Sequence, residues 1–497
     1  MKKITSITIV GGGTSGWLAA KFFDTNYNIP VTVIDKNAGE PIGFGEATVM
    51  SFDNYMQACG LQHTDWFSEV EATFKAGILF PNWKKEGHTI WHPFLQNLDL
   101  PEASLQDLWI SNFQDNDFKQ YGLVSWGHIQ ENRLPLQDIK SKSVAFQLDC
   151  GKLVQWLQKS CNRVQLIKQG VVKVNRNEEG FVESLDLEDG SNHESDFYFD
   201  CTGFASVLKE QDGVDLCGNG RLFTNAAVAC QVPFESDDEI TPYTRCPAVE
   251  HGWIWEVPTQ TRYGSGLVFN RHLTSIDDAC KSFAEHWKGR VNPDDLRMIH
   301  WEPYYIKNFW ENNVISIGLA GGFVEPLEST GIESATRGVL LAVEAFANRF
   351  TYHKEDVDYY NHMMTSWYED CVDFINLHYA DTERNDETKY GFWGYVKETH
   401  VKSDRMLDYI EWLKDPRFTV RARPNNQKLF TEPNWALYLI QMGYEANVML
   451  PHIDRQSAID FMFSLWRRDE LFKPLSPKHR DAIELANNGF NIFQELE

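Results

Sequence analysis

The sequence predicts an α/β protein: a Rossmann-like dinucleotide module with a mixed β-sheet, followed by a mainly helical C-terminal part. Three observations predict it. A glycine fingerprint stands between a β-branched strand and a helix near the N-terminus, later apolar strands run into glycines, and helical periodicity takes over in the last third.

"ITSITIVGGGTSGWLAAKFFDTNYNIPVTVID" reads as strand, glycine turn, helix, strand. Gly11, Gly13 and Gly16 satisfy GxGxxG, with Gly12, Thr14 and Ser15 filling the turn, and Asp35 closes the second strand 19 residues after Gly16. Such glycines let backbone N–H groups approach a pyrophosphate at a helix N-terminus, and the acid accepts from ribose hydroxyls. The residue context, rather than the glycines alone, makes this a dinucleotide site.

Strands follow at 170–177 and 181–190, which read as a hairpin, at 196–204, ending in Asp200-Cys201-Thr202-Gly203, and at 312–323. Helices are expected over 103–121, 151–163, 275–288, 333–349, 355–378 and most of 434–495. No long linker or repeat divides the chain. It reads as a nucleotide-binding module over 1–345, interrupted by a substrate-site segment at about 75–135, with 346–497 packed on it.

Lys and Arg number 46 against 71 Asp and Glu, a formal charge of −25 that repels phosphate backbones and anionic membranes. Nucleic acid and membrane partners are therefore not expected. The nine cysteines form no CxxC, so neither a disulfide framework nor a metal knuckle is indicated, and a reducing, cytoplasmic setting fits. "GGGTSG" cuts the first apolar run too short for a signal peptide, and no stretch approaches the roughly 18 apolar residues of a membrane span.

Three further segments carry chemistry. In "FVEPLESTGIE" (323–333), Thr330 and Gly331 precede a helix beginning near Ile332; their N–H groups suit a small anion, while plain capping by Ser329 or Thr330 is the alternative. In "TFKAGILFPNW" (73–83), Lys75 is either a snorkelling surface residue or, if buried, an amine of lowered pKa. "TIWHPFLQ" (89–96) offers Trp91, His92 and Phe94, planar groups for an aromatic substrate or for the core. "GWIWEVP" (252–258) places Trp253 and Trp255 on one face of a strand that Pro258 ends, a pattern an aromatic core strand also shows.

Gly11–Trp17, "IGFGEAT" (42–48), "FKAGILFPNW", "FDCTGF", "GWIWEVP" and "GLAGGFVEPLESTGI" together resemble the flavin-dependent tryptophan halogenase family over most of the chain. "GWIWEVP" resembles that family's WxWxIP signature, with Val257 in place of isoleucine. The resemblance implies a cofactor, FAD, which arrives reduced as FADH2 from a separate NAD(P)H-dependent flavin reductase and, with O2 and chloride or bromide, iodide being left open, yields hypohalous acid. It further implies a halide held by Thr330 and Gly331, delivery through Lys75 as the catalytic amine, and Glu328 as the second essential residue. By the same matching, Glu46 and Ala47 lie in the flavin strap, Leu319 and Ile332 lie against the cofactor, His92 and Phe94 sandwich a flat aromatic ring, and the tryptophans keep substrate from the flavin. The substrate class is an indole, phenol or pyrrole, and a homo-oligomer is compatible.

Only one GxGxxG occurs, so no second Rossmann module for NAD(P)H is expected. The rival readings are an FAD-dependent aromatic hydroxylase and a non-catalytic flavin-binding protein. Against the first, "IGLAGGFVEP" lacks the Gly-Asp pair common in such hydroxylases; against the second, Lys75 and Glu328 are both present.

Overall fold

In a computed structural model of the chain, the residues described are 3–37, 45–94, 105–113, 123, 125–209, 213–216, 220–236, 239–346, 350–384, 391–415, 418–419, 428–448 and 454–495. Strand Ile7–Val10 lies between Val31–Ile34 and Phe197–Asp200 in parallel register; Val164–Ile167 and Val314–Ser316 extend this sheet on either side, and antiparallel Trp310–Glu311 closes one edge. The three central strands are buried at every residue, as a parallel sheet covered on both faces requires. The expected hairpin forms from Val171–Arg176 and Val182–Leu187, and Asn192–Glu194 adds a third strand.

A second, eight-stranded sheet holds Gly252–Pro258 between Arg262–Phe269 and Thr244–Arg245, and ends in Gly77–Pro81 and Thr89–Pro93. A small antiparallel sheet joins Glu46–Ala47, Ala145–Leu148 and Thr73–Lys75. Lys75 ends its strand and Gly77 opens the next, so the chain crosses from the small sheet into the large one at Ala76.

The residues after 346 build helices Lys354–Tyr379, Glu432–Met442, Arg455–Phe472 and His479–Asn487, among others. One hydrophobic core runs from Ile4 and Ile9 through Trp367 and Trp435 to Ile492, so these helices share their core with the N-terminal strands. Several boundaries differ from expectation. The 196–204 strand ends at Asp200, where Asp200 Oδ1 accepts from Thr202 N (3.0 Å) and turns the chain. The helix expected near Ile332 starts at Thr330. The C-terminal helical stretch is interrupted where Gly443 takes φ +94°, a left-handed stop. Of 103–121, Leu105–Phe113 is helical and 114–121 lie outside the described residues.

Candidate active site

The glycine turn is built by close approach. Gly11 holds φ +103°, and a Cβ on Gly16 would lie 1.9 Å from the Gly11 carbonyl oxygen, so helix Thr14–Asn26 can start only where both are glycine. That helix begins on Gly13 with no side-chain cap and no acid in its first turn, leaving its N–H groups to an anion. Gly12 sits against Asp35, whose Oδ2 would be 2.8 Å from an added Cβ. Gly11–Ser15, Asp35, Glu46, Ala47, Leu319 and Ile332 all line one cavity of about 850 Å³, ample for a dinucleotide; Gly16 lies behind it. Glu46 Oε2 accepts from Cys150 N (3.0 Å), which anchors the described end of segment 42–48; its residues 42–44 lie outside the described residues.

The same cavity continues to Trp255, Val257, Cys246, Glu328, Ser329 and Gly331. The two tryptophans of "GWIWEVP" stand side by side, 6.5 Å apart, yet differ in surroundings. Trp255 faces the cavity with its ring pressed over Gly266, where a Cβ would meet the indole at 2.3 Å. Trp253 is fully buried behind it and donates from Nε1 to Tyr379 Oη (3.2 Å). Tyr379 Oη in turn donates to Glu325 (3.0 Å), and burial pushes that carboxyl up to about 7. Pro258 ends the strand, paired with Tyr263.

Lys75 is completely buried. Its Nζ donates to Thr48 O (3.1 Å) and Ser329 Oγ (2.9 Å) and lies 5.3 Å from the centre of the Phe94 ring. Burial lowers its pKa from 10.5 to about 8, against the pull of the Glu328 carboxylate. Glu328 is reached through backbone strain: it and Ser329 hold φ +62° and +60°, left-handed at two consecutive residues that are not glycine. Helix Thr330–Phe346 starts immediately after them, placing Thr330 and Gly331 in its first turn, where N–H groups lack intrahelical acceptors. Glu328 Oε1 accepts from His92 Nδ1 (2.9 Å) and His378 Nε2 (2.8 Å). Burial alone would raise the carboxyl; the two histidines pull the other way and lower it.

The sequence-predicted residues thus gather around one cavity: the glycine turn, Glu328 and Gly331 line it, Thr330 stands between Ser329 and Gly331, and Lys75 is tied to it through the Ser329 hydroxyl. His92 and Phe94 join the lysine end in different ways. Phe94 presents its ring to the ammonium, whereas His92 spends Nδ1 on Glu328 and Nε2 on Asn434 and packs its ring against Phe374. Sequence reasoning missed His378, Asn434, Ser329 as the partner of Lys75, and Glu325. The "EPLES" acids were the only signal for Glu325; nothing local marks His378 within a long amphipathic helix.

A profile of the tryptophan halogenase family matches residues 6–458. Curated relatives include a tryptophan 6-halogenase of Streptomyces albogriseolus, 27% identical over 442 residues and 82% of each chain, and a tryptophan 7-halogenase of Lentzea aerocolonigenes, 26% identical over 437 residues with the same coverage. Among solved structures, a flavin-dependent halogenase from Xanthomonas campestris superposes with a TM-score of 0.88 at 26% identity, covering 97% of this chain and 98% of that one. One from Brevundimonas gives 0.85, also at 26%, covering 98% and 99%.

Proposed function

Since this chain belongs to the tryptophan halogenase family, we propose that Lys75 and Glu328 deliver an oxidised halogen, made where Thr330 and Gly331 hold the halide, to an electron-rich aromatic ring. The enzyme is a flavin-dependent halogenase that uses FADH2 and halide. Reduced FAD, when bound, supplies hypohalous acid from O2 and halide; the protein governs where that acid goes.

Gly11–Ser15 and Asp35 hold the dinucleotide, and the N–H groups of Thr330 and Gly331 hold the halide. Trp255 and Val257 wall the cavity, so an aromatic substrate stays off the flavin while a molecule the size of hypohalous acid passes. Lys75 Nζ already donates to Thr48 and Ser329, which leaves one N–H for the oxygen of the acid. A donor fixed there in a water-poor site polarises the oxygen–halogen bond and aims the halogen at one ring carbon. Glu328 stands beside it to take part in proton movement. The observation that carries this reading is continuity: one cavity runs from Gly11 to Ser329, and the Ser329 hydroxyl is bonded to the buried amine.

The substrate is an indole-like ring, by analogy with relatives named for tryptophan, and a phenol or pyrrole fits the same chemistry. The single dinucleotide fingerprint supports a separate NAD(P)H-dependent flavin reductase as partner. Incubation with a generic flavin reductase, NADH, FAD, bromide and a mixed aromatic library tests the reading by isotope-pattern mass spectrometry. Brominated aryl products are expected from the wild type and none from Lys75→Ala, with FAD binding retained. Oxygenated products formed independently of halide would replace this reading with a hydroxylase.

A further inference from the structure

The hydrogen bonds around Glu328 fix where its protons are. Asn434 Oδ1 accepts from the Thr431 N–H (2.9 Å), so the Asn434 amide turns its Nδ2 donor toward His92 Nε2 (3.0 Å). His92 Nε2 is therefore an acceptor, and His92 is a neutral imidazole whose single N–H, on Nδ1, donates to Glu328. His378 is arranged differently. Its Nδ1 faces the Phe374 carbonyl oxygen (2.9 Å), which can only accept, so Nδ1 carries a proton. Its Nε2 faces Glu328 Oε1 at 2.8 Å, and one proton must lie in that contact too, on the imidazole or on the carboxyl. Either way the pair holds one proton more than a carboxylate beside a neutral histidine.

Resting on the halogenase reading, we infer that His378 and Glu328 share an exchangeable proton that serves the halogenation step, with His378 as the positioning residue for Glu328. His378 is fully buried and Glu328 is 3% exposed, so bulk water does not compete for that proton. Glu328 lines the cavity and connects the pair to the reacting molecules; His378 lies behind it in the last turns of helix Lys354–Tyr379. In the transfer, the ring carbon bonds to the halogen and the halogen–oxygen bond breaks. The departing hydroxide takes the pair's proton and leaves as water. The cationic ring then gives its proton to the Glu328 carboxylate, which restores the pair. Hypohalous acid and arene become aryl halide and water, with no net change in the protein. One proton thus lets the same carboxyl act as acid and then as base.

The groups that set this equilibrium come from every element around it. Lys75 arrives from strand Thr73–Lys75, His92 from Thr89–Pro93, and Cys246 from the segment after Thr244–Arg245. Tyr438, from helix Glu432–Met442, lays its ring 4.2 Å from that of His378, and its hydroxyl has no hydrogen-bond partner among the described residues.

Neutron diffraction of the deuterated wild type, or nitrogen-15 NMR of histidine-labelled protein, reads the ring nitrogens directly and needs no turnover. Two protonated nitrogens on His378, or a protonated Glu328 bonded to Nε2, with a single proton on His92, is the expected result. A bare His378 Nε2 beside an ionised Glu328 would overturn the inference. In activity, His378→Gln keeps a donor toward Glu328 but cannot hold the second proton. It should still bind FAD and release hypohalous acid to a scavenger, yet halogenate arenes about a hundredfold more slowly and with a displaced pH profile. Wild-type rate and pH profile in that variant would also overturn it. Should the variant not fold, the ring-nitrogen measurement on the wild type decides. Absence of aryl halide from the wild type would instead remove the halogenase reading, which the proton placement does not share.

Discussion

Replacing Lys75 by methionine should stabilise the protein while silencing it. The methionine side chain nearly matches the lysine stem in length and carries no charge, so it removes the cost of holding a buried ammonium. A pKa lowered from 10.5 to about 8 corresponds to ~3 kcal/mol of destabilisation of the charged form. Loss of the bond to Thr48 O leaves a buried carbonyl short of a partner, at ~1–3 kcal/mol, so the net gain at neutral pH is ~1 kcal/mol. The pH dependence is the sharper measure. The unfolded chain keeps the lysine proton up to 10.5, whereas the folded protein releases it at about 8. Between those values the unfolded state binds one more proton, and stability rises with pH. Wild type should therefore gain ~3 kcal/mol relative to Lys75→Met as pH climbs from below 8 to above 10.5. Denaturant melts of both FAD-free proteins across that range measure the difference, in which groups common to both cancel. Parallel stability profiles would refute the claim that this amine is held charged in a desolvated site.

Ser329→Ala removes the hydroxyl that accepts from Lys75 and should cut aryl halogenation about tenfold while FAD affinity stays unchanged by fluorescence titration. Gly266→Ala puts a methyl into the Trp255 ring, where the Cβ would lie at 2.3 Å; the displaced indole should let hypohalous acid escape, read as scavenger halogenation rising at the expense of substrate. Glu325→Gln tests the buried acid behind Trp253. In the folded state this carboxyl keeps its proton up to about 7 instead of 4.5, so folded protein binds more protons between those values and its contribution weakens as pH rises through them. The neutral amide should accordingly lose that dependence and be more stable than wild type above pH 7, by ~3 kcal/mol in denaturant melts. With Lys75 holding its ammonium only below about 8, the halogenation rate should fall as pH rises through that value, provided free hypohalous acid formation is monitored alongside.

The glycine turn and the strands around it were legible because their signal is local. Gly11, Gly13, Gly16 and Asp35 lie within one strand–helix–strand unit whose alternating periods appear in a single window. Lys75 was conspicuous as a charge among apolar residues, and the structure buries it. The carboxylate's surroundings were not legible. Glu328 meets His92 across 236 residues and His378 across 50, and neither histidine interrupts the pattern of its own strand or helix. Ser329 in sequence is an ordinary helix-start serine; only the left-handed turn before Thr330 aims its hydroxyl at the lysine. The helices after 346 were foreseen as a block, but their breaks depend on features such as Gly443 whose handedness a periodicity does not encode.

Glu328 and Ser329 are wound in the sense that L-amino acids resist, at ~1–2 kcal/mol each. Glycine at either position would relieve that strain, yet it would delete the carboxyl or the hydroxyl that the fold bends backward to present. At Ser329, selection for stability and selection for turnover therefore pull in opposite directions, whereas Glu328 is also held by its bonds to two buried histidines. A laboratory search for thermally hardier variants that ignores activity should drift to glycine at Ser329 first and yield a sturdier, slower protein.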